Sequence, residues 1–477
     1  MLLHRHCYVY IFLLIVACRA AELSPKAKES LLKVLGGKSL EERRVRLQNL
    51  GALYFGKGSS VRVAPAAETT EQVEPEDPSN PSIEELNQRE GVADYFFQGD
   101  IQLSEAQLEK IERNLAATEN SRTKRQVDKF ATLWTNNIVY YYFDAALDTR
   151  KRTTVKAALN YIQSRTCLTF VENSTAPSRI RVFNGAGCFS GIGMWPQEQQ
   201  LSIGNGCELI GTTAHEFAHA LGVWHMQMRD DRDNFIKVDL TSVPEDKRHN
   251  YVKLATEEVI NYNPYEYGSM MHYDAKSFST SGNSLVPTDA SYLRTIGSRT
   301  ITFYDIKTIN DHYKCHAKCG AGSAVCQNGG IPNPKSCAVC VCPAGYGGAL
   351  CNQRPGGCGV GLTATAAWQV QQFTFGNAAA TTPSDTYMQC NHYIWAPAGK
   401  RIQVRVTNLN NAQCRNGCHL NSIELKTINN HKRVTNPRIC CTEQLNQVGT
   451  SNYIPTPIIS YNRLLTSTYT FHYRFIA

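Results

Sequence analysis

The chain has 477 residues, which is too long for one ordinary domain and indicates two to four. Hydrophobic residues make up 42% and charged residues 19%, which is typical of a folded protein and excludes a disordered one. We expect the formal net charge of +8 to be spread over the whole length. No basic stripe with interleaved aromatic residues is found, so nucleic acid is not an expected partner.

The first twenty residues have the pattern of a secretory signal peptide. A basic start precedes an apolar run from Tyr8 to Ala17, and Cys18 and Ala20 suit the −3 and −1 positions of a cleavage site after Ala20. The run is too short to span a bilayer comfortably, and no other window reaches the length of a membrane helix. We therefore predict a signal at 1–20 and a secreted, extracellular protein without a membrane span.

Residues 21–125 contain no cysteine and are rich in charge, and we interpret them as a removable pro-segment. Helices are predicted in "SPKAKESLLKVLGG" and from Ser104, with an acidic, proline-rich linker at 64–83. The segment ends in R-T-K-R, a site of the kind that proprotein convertases cut after Arg125. The mature chain then starts at Gln126.

Residues 126–315 mix strand-like and helix-like patterns and predict an α+β domain. Strands are predicted in "NNIVYYYFD", "CLTFVE" and "RIRVFN", and helices in "TRKRTTVKAALNYIQS" and at 211–222. Residues 319–351 hold six cysteines, too many for an ordinary apolar core. Residues 358–477 return to strand-like segments and predict a small β-sandwich.

Cysteine usage fits the extracellular compartment. Of 18 cysteines, two lie in the predicted signal and the other sixteen lie between Cys167 and Cys441. An even number in an oxidising compartment indicates eight disulfides. Four cysteines allow three pairings and six allow fifteen, so spacing alone leaves the connectivity open.

The stretch "GTTAHEFAHALGVWH" has the spacing of a metal site. His215 and His219 lie one helical turn apart on one face, and Gly222 can end the helix with a positive φ and return the chain to bring in His225. Three neutral imidazoles suit Zn²⁺ and leave a fourth position for water. Glu216 points into the same cleft, where it can take a proton and hand it to a leaving amine, as amide hydrolysis requires.

This HExxHxxGxxH stretch, followed by S-x-M-H-Y, resembles the astacin family of metzincin metalloendopeptidases. "TCLTF", "GCFSGIG", "LSIGNGC" and "INDHYKC" resemble further family landmarks in the right order, and the resemblance covers 126–315. It implies a catalytic domain of two subdomains flanking a zinc cleft, with one zinc ion per domain held by the three histidines. It also implies that Tyr273 is an extra ligand that swings away to stabilise the oxyanion, and that Met271 forms a hydrophobic floor. The implied disulfides are Cys167–Cys315 and Cys188–Cys207.

A second match lies in the predicted pro-segment. "YFFQGDIQL" resembles the F-x-G-D inhibitory motif of the family at Phe97, Gly99 and Asp100. The carboxylate of Asp100 can occupy the position that the catalytic water needs, which implies a zymogen.

Met226 departs from the family pattern. The residue after the third histidine is usually a glutamate, which resembles an anchor for the new amino terminus inside the mature domain. A thioether cannot balance a buried ammonium group. Our hypothesis is that the terminus stays outside or is satisfied otherwise, so that activation depends mainly on removing Asp100. The alternative is drift at a tolerant position, with full activity retained.

Two appended modules are implied by resemblance. "CQNGG…CAVCVCPAGYGGALC" resembles an EGF-like module at 316–353, whose family pairing is Cys319–Cys337, Cys326–Cys340 and Cys342–Cys351. Residues 358–477 resemble a CUB domain, and "CHLNSIELK" lacks the aspartate that a calcium site there would use. Asn173 begins the sequon Asn-Ser-Thr, a predicted glycosylation site.

The predicted function is a secreted, zinc-dependent endopeptidase, made as a zymogen, similar to nematode members of the family and acting on extracellular or matrix proteins, cuticular proteins included. The alternative is a catalytically inert extracellular binding protein on the same scaffold, against which Glu216, Tyr273 and Asp100 argue. A metzincin of another branch is disfavoured because Tyr273 follows Met271 at +2 and because of the cysteine placement.

Overall fold

The computed structural model describes residues 23–36, 39–56, 81–116, 132–254, 260–429 and 431–477. The predicted signal peptide, Arg125 and Gln126 lie outside these ranges, as does the predicted linker up to residue 80. The described helices are α1 (Pro25–Leu35), α2 (Leu40–Phe55), α3 (Ile83–Arg89), α4 (Glu105–Ala116), α5 (Thr149–Gln163), α6 (Ile210–Ala220) and α7 (Phe303–His312). None of them combines the length and apolar character needed to cross a bilayer.

The described strands fall into five sheets. Strands of the first half are β1 (Ile101–Gln102), β2 (Ile138–Phe143), β3 (Thr169–Glu172), β4 (Arg179–Phe183), β5 (Cys188–Gly191), β6 (Glu198–Ile203), β7 (Ile236–Val238) and β8 (Leu285–Pro287). Those that follow are β9 (Ile331–Asn333), β10 (Ser336–Val341), β11 (Gly361–Thr363), β12 (Gln369–Gly376), β13 (Met388–Trp395), β14 (Arg401–Asn410), β15 (Asn421–Leu425), β16 (Arg438–Ile439), β17 (Gly449–Ser451), β18 (Thr456–Asn462) and β19 (Thr466–Ile476).

The described parts of the N-terminal segment, residues 23–36, 39–56 and 81–116, consist mainly of capped helices. Helix α1 begins as predicted, because the Ser24 hydroxyl accepts the N–H of Ala27 at 3.0 Å, and it ends at Gly36 with φ +66°. Helix α4 is capped in the same way by Ser104. The two helices predicted in this segment are therefore confirmed.

The central region, residues 132–315, is built on a six-stranded sheet of order β1-β5-β6-β4-β2-β3. Strands β6, β4, β2 and β3 run parallel, and β5 is antiparallel to β6. Helices α5 and α6 pack on this sheet and share its apolar core, which includes Val139, Leu159, Ile180 and Phe217. The strand and helix patterns predicted here fall on β2, β3, β4, α5 and α6, so the α+β class is confirmed.

Strand β1 comes from the N-terminal segment, not from the central region. It pairs in parallel with β5, with Ile101 opposite Ser190 and Gln102 opposite Gly191. The N-terminal segment therefore completes the edge of the central sheet by adding a strand.

The remainder consists of a cysteine-rich segment, residues 319–351, and a sandwich region, residues 358–477. The cysteine-rich segment contains the antiparallel pair β9–β10. The sandwich region has a five-stranded sheet, β11-β13-β18-β15-β16, facing a four-stranded sheet, β12-β19-β14-β17, across an apolar core.

The sixteen cysteines from Cys167 onward form eight disulfides. Two lie in the central region, Cys167–Cys315 and Cys188–Cys207. Three lie in the cysteine-rich segment, Cys319–Cys337, Cys326–Cys340 and Cys342–Cys351. Three lie in the sandwich region, Cys358–Cys390, Cys414–Cys441 and Cys418–Cys440.

Candidate metal centre

Helix α6 carries the first two histidines of the candidate site. Its residues from Gly211 to Ala220 are all buried, so polar side chains on it must find partners inside the protein. The helix ends just before Gly222, whose φ of +91° fits the turn predicted there. The chain then reverses and brings His225 beside the helix.

The Nε2 atoms of the three histidines converge on one point. His219 Nε2 lies 3.0 Å and His225 Nε2 lies 3.3 Å from His215 Nε2. With metal–nitrogen bonds of about 2.0–2.1 Å, tetrahedral ligands of zinc are separated by about 3.3 Å. The spacing therefore fits three ligands of one small ion.

The opposite ring nitrogens determine how the imidazoles are protonated. His215 Nδ1 lies 2.7 Å from the carbonyl oxygen of Met270, and His219 Nδ1 lies 2.8 Å from that of Val223. His225 Nδ1 lies 2.8 Å from the side-chain oxygen of Gln98. Because each Nδ1 faces an acceptor, it carries the proton, and each Nε2 lone pair is left for a cation.

Asp100 from the N-terminal segment occupies the centre of the histidine cluster. Its Oδ2 lies 3.1 Å from His215 Nε2 and 3.2 Å from His225 Nε2, and its Oδ1 lies 3.8 Å from His219 Nε2. Burial opposes ionisation of this carboxyl, but the positive charge that a proton at Nε2 brings, that of His225 first, lowers its pKa well below the usual range. The four side chains form a closed, buried donor set.

Glu216 lies beside the cluster without a partner of its own. It is fully buried, and neither carboxylate oxygen has a hydrogen-bond partner among the described residues. Burial, and then the charge of Asp100, raise its pKa well above the usual value. A buried carboxyl with free oxygens is suited to accept and release a proton.

Tyr273 and Met271 lie in the turn that follows Met270. The Tyr273 hydroxyl donates to the carbonyl oxygen of Gln98 at 2.5 Å, so the N-terminal segment engages this side chain as well. Met271 is buried in the same apolar core as α6. Met226 is half-buried, and its backbone N–H donates to the Met271 carbonyl at 2.8 Å.

The predicted glycosylation site lies away from this cluster. Asn173 follows β3, is half-buried, and its side-chain oxygen accepts from the backbone and hydroxyl of Thr175. Phe97 and Gly99 lie with Asp100 in the turn that leads into β1, where Gly99 has φ +80°.

Three residues that support the site were missed in the sequence. Gln98 was treated as the variable position of its motif, although its side chain contacts both His225 and the carbonyl of Val252. Asn87 joins Gly99 to β5 by three buried hydrogen bonds. Asp305 accepts hydrogen bonds from the Ser269 hydroxyl and the Met270 N–H. It thereby anchors the turn that holds Met271 and Tyr273, here called the methionine turn. Only Asp305 had a local signal, the capping pattern Thr302-x-x-Asp305.

Three converging imidazoles that can hold a metal ion, beside an unpaired carboxyl that can accept a proton, are the site of a zinc hydrolase, which is the class of protein that this fold and site define. Comparison with known proteins gives the family. The model of the astacin peptidase family matches residues 126–314.

Relatives among nematode proteins extend this match over most of the chain. It is 44% identical over 409 residues to zinc metalloproteinase nas-32 of Caenorhabditis elegans, covering 84% of this chain and 61% of that protein. It is 37% identical to nas-31 of the same nematode, covering 82% and 65%. It is 39% identical over 399 residues to nas-17, covering 83% and 89%. The chain thus spans less than two thirds of the length of nas-32 and nas-31.

A solved structure is also similar. High choriolytic enzyme 1, a hatching enzyme zinc-protease from the medaka fish Oryzias latipes, matches with 28% identity and a TM-score of 0.36, covering 39% of this chain and 94% of that one. The family match and the identity to the nematode relatives show that the chain belongs to the astacin family of zinc metallopeptidases. The cofactor of this family is one catalytic zinc ion, which the donor set described above fits.

Proposed function

We propose that this chain is a secreted, zinc-dependent endopeptidase made in a latent form. One observation carries the proposal: the Asp100 carboxylate lies among the three Nε2 atoms, while Glu216 beside them is left free. An inert binding scaffold has no use for a carboxylate that closes its metal site. The latch therefore favours an enzyme over the inert alternative.

His215, His219 and His225 would hold the zinc ion. When bound, zinc supplies Lewis-acid activation of water and of the peptide carbonyl. Glu216 takes a proton from the attacking water at a carboxylate oxygen and delivers it to the nitrogen of the leaving amine. Tyr273 donates its hydroxyl proton toward the developing oxyanion once Gln98 no longer accepts it. Met271, which is buried in the core of the central region, would form the hydrophobic floor beneath the histidines.

Latency follows from the same contacts. As long as Asp100 faces the histidines, the position that the nucleophilic water needs is occupied. Cleavage after Arg125 by a proprotein convertase would separate Asp100 from the mature chain starting at Gln126. The signal pattern at 1–20 and the eight disulfides support secretion into an oxidising compartment.

The appended regions are proposed to position the enzyme. The three disulfides of the cysteine-rich segment support an EGF-like module at 316–353, and the two facing sheets support a CUB-like domain at 358–477. Proteins of the extracellular space or matrix, cuticular proteins included, are the proposed substrates, and Asn173 is the proposed glycosylation site.

The proposal is tested with the secreted chain before and after convertase treatment. Cleavage at Arg125 should release activity on a generic protein substrate, a chelator should abolish it, and added zinc should restore it. Glu216→Gln should lower the rate by about a hundredfold to ten-thousandfold, the usual contribution of a general base. Glu245→Gln, an exposed carboxylate, is the control. Full activity of the Glu216 variant would refute the proposed role.

A further inference from the structure

The positive charge of the chain is concentrated in the sandwich region. Residues 358–477 contain ten lysines and arginines and only three aspartates and glutamates, so they account for seven of the eight net positive charges. The expectation that the charge is spread over the whole length is wrong. A count over the full chain conceals the excess because acidic and basic residues nearly balance elsewhere.

The three carboxylates of the sandwich region are already in use. Asp385 pairs with Arg150 of the central region at 2.6 Å, and Glu443 pairs with Arg294 of the same region at 3.0 Å. Glu424 is fully buried and pairs with a buried lysine at 3.0 Å. Among the described residues, no aspartate or glutamate side chain of the sandwich region is therefore left unpaired.

The outward face of the four-stranded sheet carries several of these cations. Its four strands contain no aspartate or glutamate. Strand β14 buries one set of alternate residues and strand β19 does the same, so the intervening side chains point outward. These outward residues, here called the basic face, are Arg401, Gln403, Arg405, Thr470, His472 and Arg474.

Two arginines of the basic face are held in place by one tryptophan. The guanidinium carbons of Arg405 and Arg474 lie 4.7 and 4.6 Å from the ring centroid of Trp368. Arg474 Nε also donates to the side-chain oxygen of Gln403 at 2.9 Å. Among the described residues, neither arginine forms an ion pair. Two preorganised guanidinium groups are therefore presented without an internal counterion.

The basic face lies on the outer layer of the sandwich. Contacts with the central region come from the other sheet and its loops: Arg438 N–H donates to Thr295, and Tyr292 donates to the carbonyl of Thr435. A partner on the basic face would therefore not cover the histidine cluster.

We infer that the basic face binds a sulfated polysaccharide. Guanidinium groups form paired hydrogen bonds with oxyanions such as sulfate. The neighbouring outward side chains are mainly amides and hydroxyls, which can bond to sugar hydroxyls. Apart from Val370 and Ile476, the face offers little apolar surface of the kind that forms the core of a protein–protein interface. The inference goes beyond the proposed peptidase function and assigns the sandwich region a tethering role.

The test uses the full secreted chain and immobilised heparin in about 0.15 M salt, a physiological ionic strength. The double variant R405Q/R474Q should raise Kd about tenfold or more and should reduce the dependence of log Kd on log salt by about two, because two ionic contacts are lost. The variant K156Q/K237Q removes the same charge from the central region and should leave Kd unchanged. Equal thermal unfolding midpoints show that both variants are folded.

Competing polyanions identify the partner. Desulfated heparin, polyglutamate and duplex DNA should each bind at least about tenfold more weakly than heparin. Failure of the wild-type chain to bind heparin, or equal losses for the two double variants, would overturn the inference. Binding of polyglutamate or DNA as tight as that of heparin would also overturn it, in favour of an acidic protein or a nucleic acid.

Discussion

Asp100 shows how a single side chain can control the candidate site. Its carboxylate faces all three imidazoles, and burial excludes the water that would otherwise compete for the position. The charge of the carboxylate matters more than its shape, because an uncharged amide is a weaker partner for a cation.

We therefore expect Asp100→Asn to make the uncleaved chain partly active. Activity of a chain that also carries Arg125→Ala, which prevents cleavage, should rise about tenfold or more, equivalent to 1.4 kcal/mol of lost latch stability. The matched control is Asp94→Asn, which removes a carboxylate of the same segment that pairs with Lys247 outside the cluster. If both variants remained equally latent, Asp100 would not be the latch.

Met226 follows the third histidine, at the position where the family usually has a negatively charged glutamate. Its side chain packs against an apolar cluster and reaches Arg229 only through its sulfur, at 3.9 Å. Neither contact can hold an ammonium group. The residue is nevertheless well packed, so the site needs no charge to keep its shape.

From this environment we predict that the mature amino terminus is not a part of the active site. A chain starting at Gln126 and one extended by two residues should hydrolyse a peptide substrate at similar rates. Met226→Glu should make the same extension more harmful, because a buried carboxylate then requires its ammonium partner. A loss of about tenfold in the extended wild-type chain would contradict the prediction.

At the scale of elements, the N-terminal segment is attached by a strand and a turn. Strand β1 pairs with β5, and the turn before it depends on Gly99, where an added Cβ would lie 2.8 Å from the ring of Phe278. Asn87 on α3 crosslinks the two, since it bonds to the Gly99 carbonyl and to both backbone groups of Cys188.

Asn87→Ala should loosen this attachment. Removing one partner of a buried hydrogen-bond set costs about 1–3 kcal/mol for the groups left unpaired. In the uncleavable Arg125→Ala background, residual activity should therefore increase, and protease nicking of the N-terminal segment should accelerate. Gln88→Ala serves as the control, because the Gln88 side chain donates within its own helix, to the carbonyl oxygen of Glu84. Identical latency of the two variants would argue against the crosslink.

At the scale of the whole molecule, the sandwich region supports the methionine turn from behind. Glu266 lies just before this turn and is buried. Its carboxylate accepts from the N–H of Gly268 and from that of Thr435 in the sandwich region. Burial raises the pKa of Glu266 to about 7. The contact between the two regions should therefore respond to pH.

The pKa of Glu266 is about 7 in the folded chain, and the usual pKa of a glutamate is 4.5. Between these two pH values, Glu266 is therefore protonated more often in the folded chain than in the unfolded chain. Stability contributed by this group is thus present at low pH and is lost as pH rises, by up to about 1.4 kcal/mol per unit. Thermal unfolding from about pH 5 to 7.5 should show a smaller decrease for Glu266→Gln than for the wild type. Burial also raises the pKa of Asp274 to about 7. The Glu266 variant should therefore keep part of the decrease in stability with pH. Glu245→Gln should change nothing; an unaltered slope in the Glu266 variant would refute the assignment.

The sequence by itself determined the parts whose physics is local. The caps of α1 and α4, the position of α6 and the positive φ at Gly222 follow from side chains within a few residues of each other along the chain. The three histidines could also be predicted as metal ligands, because two of them lie one helical turn apart and the third follows a glycine. Likewise, an even number of cysteines after a signal pattern predicts full pairing.

Only the tertiary structure decided what brings distant segments together. Gln98 against His225, Asn87 against Cys188 and Glu266 against Thr435 are contacts between residues 101 to 169 positions apart, and no local pattern encodes them. The same holds for the basic face, which is formed when strand pairing places Arg405 and Arg474 beside Trp368. Such contacts depend on how sheets and helices pack, and packing is a property of the whole chain.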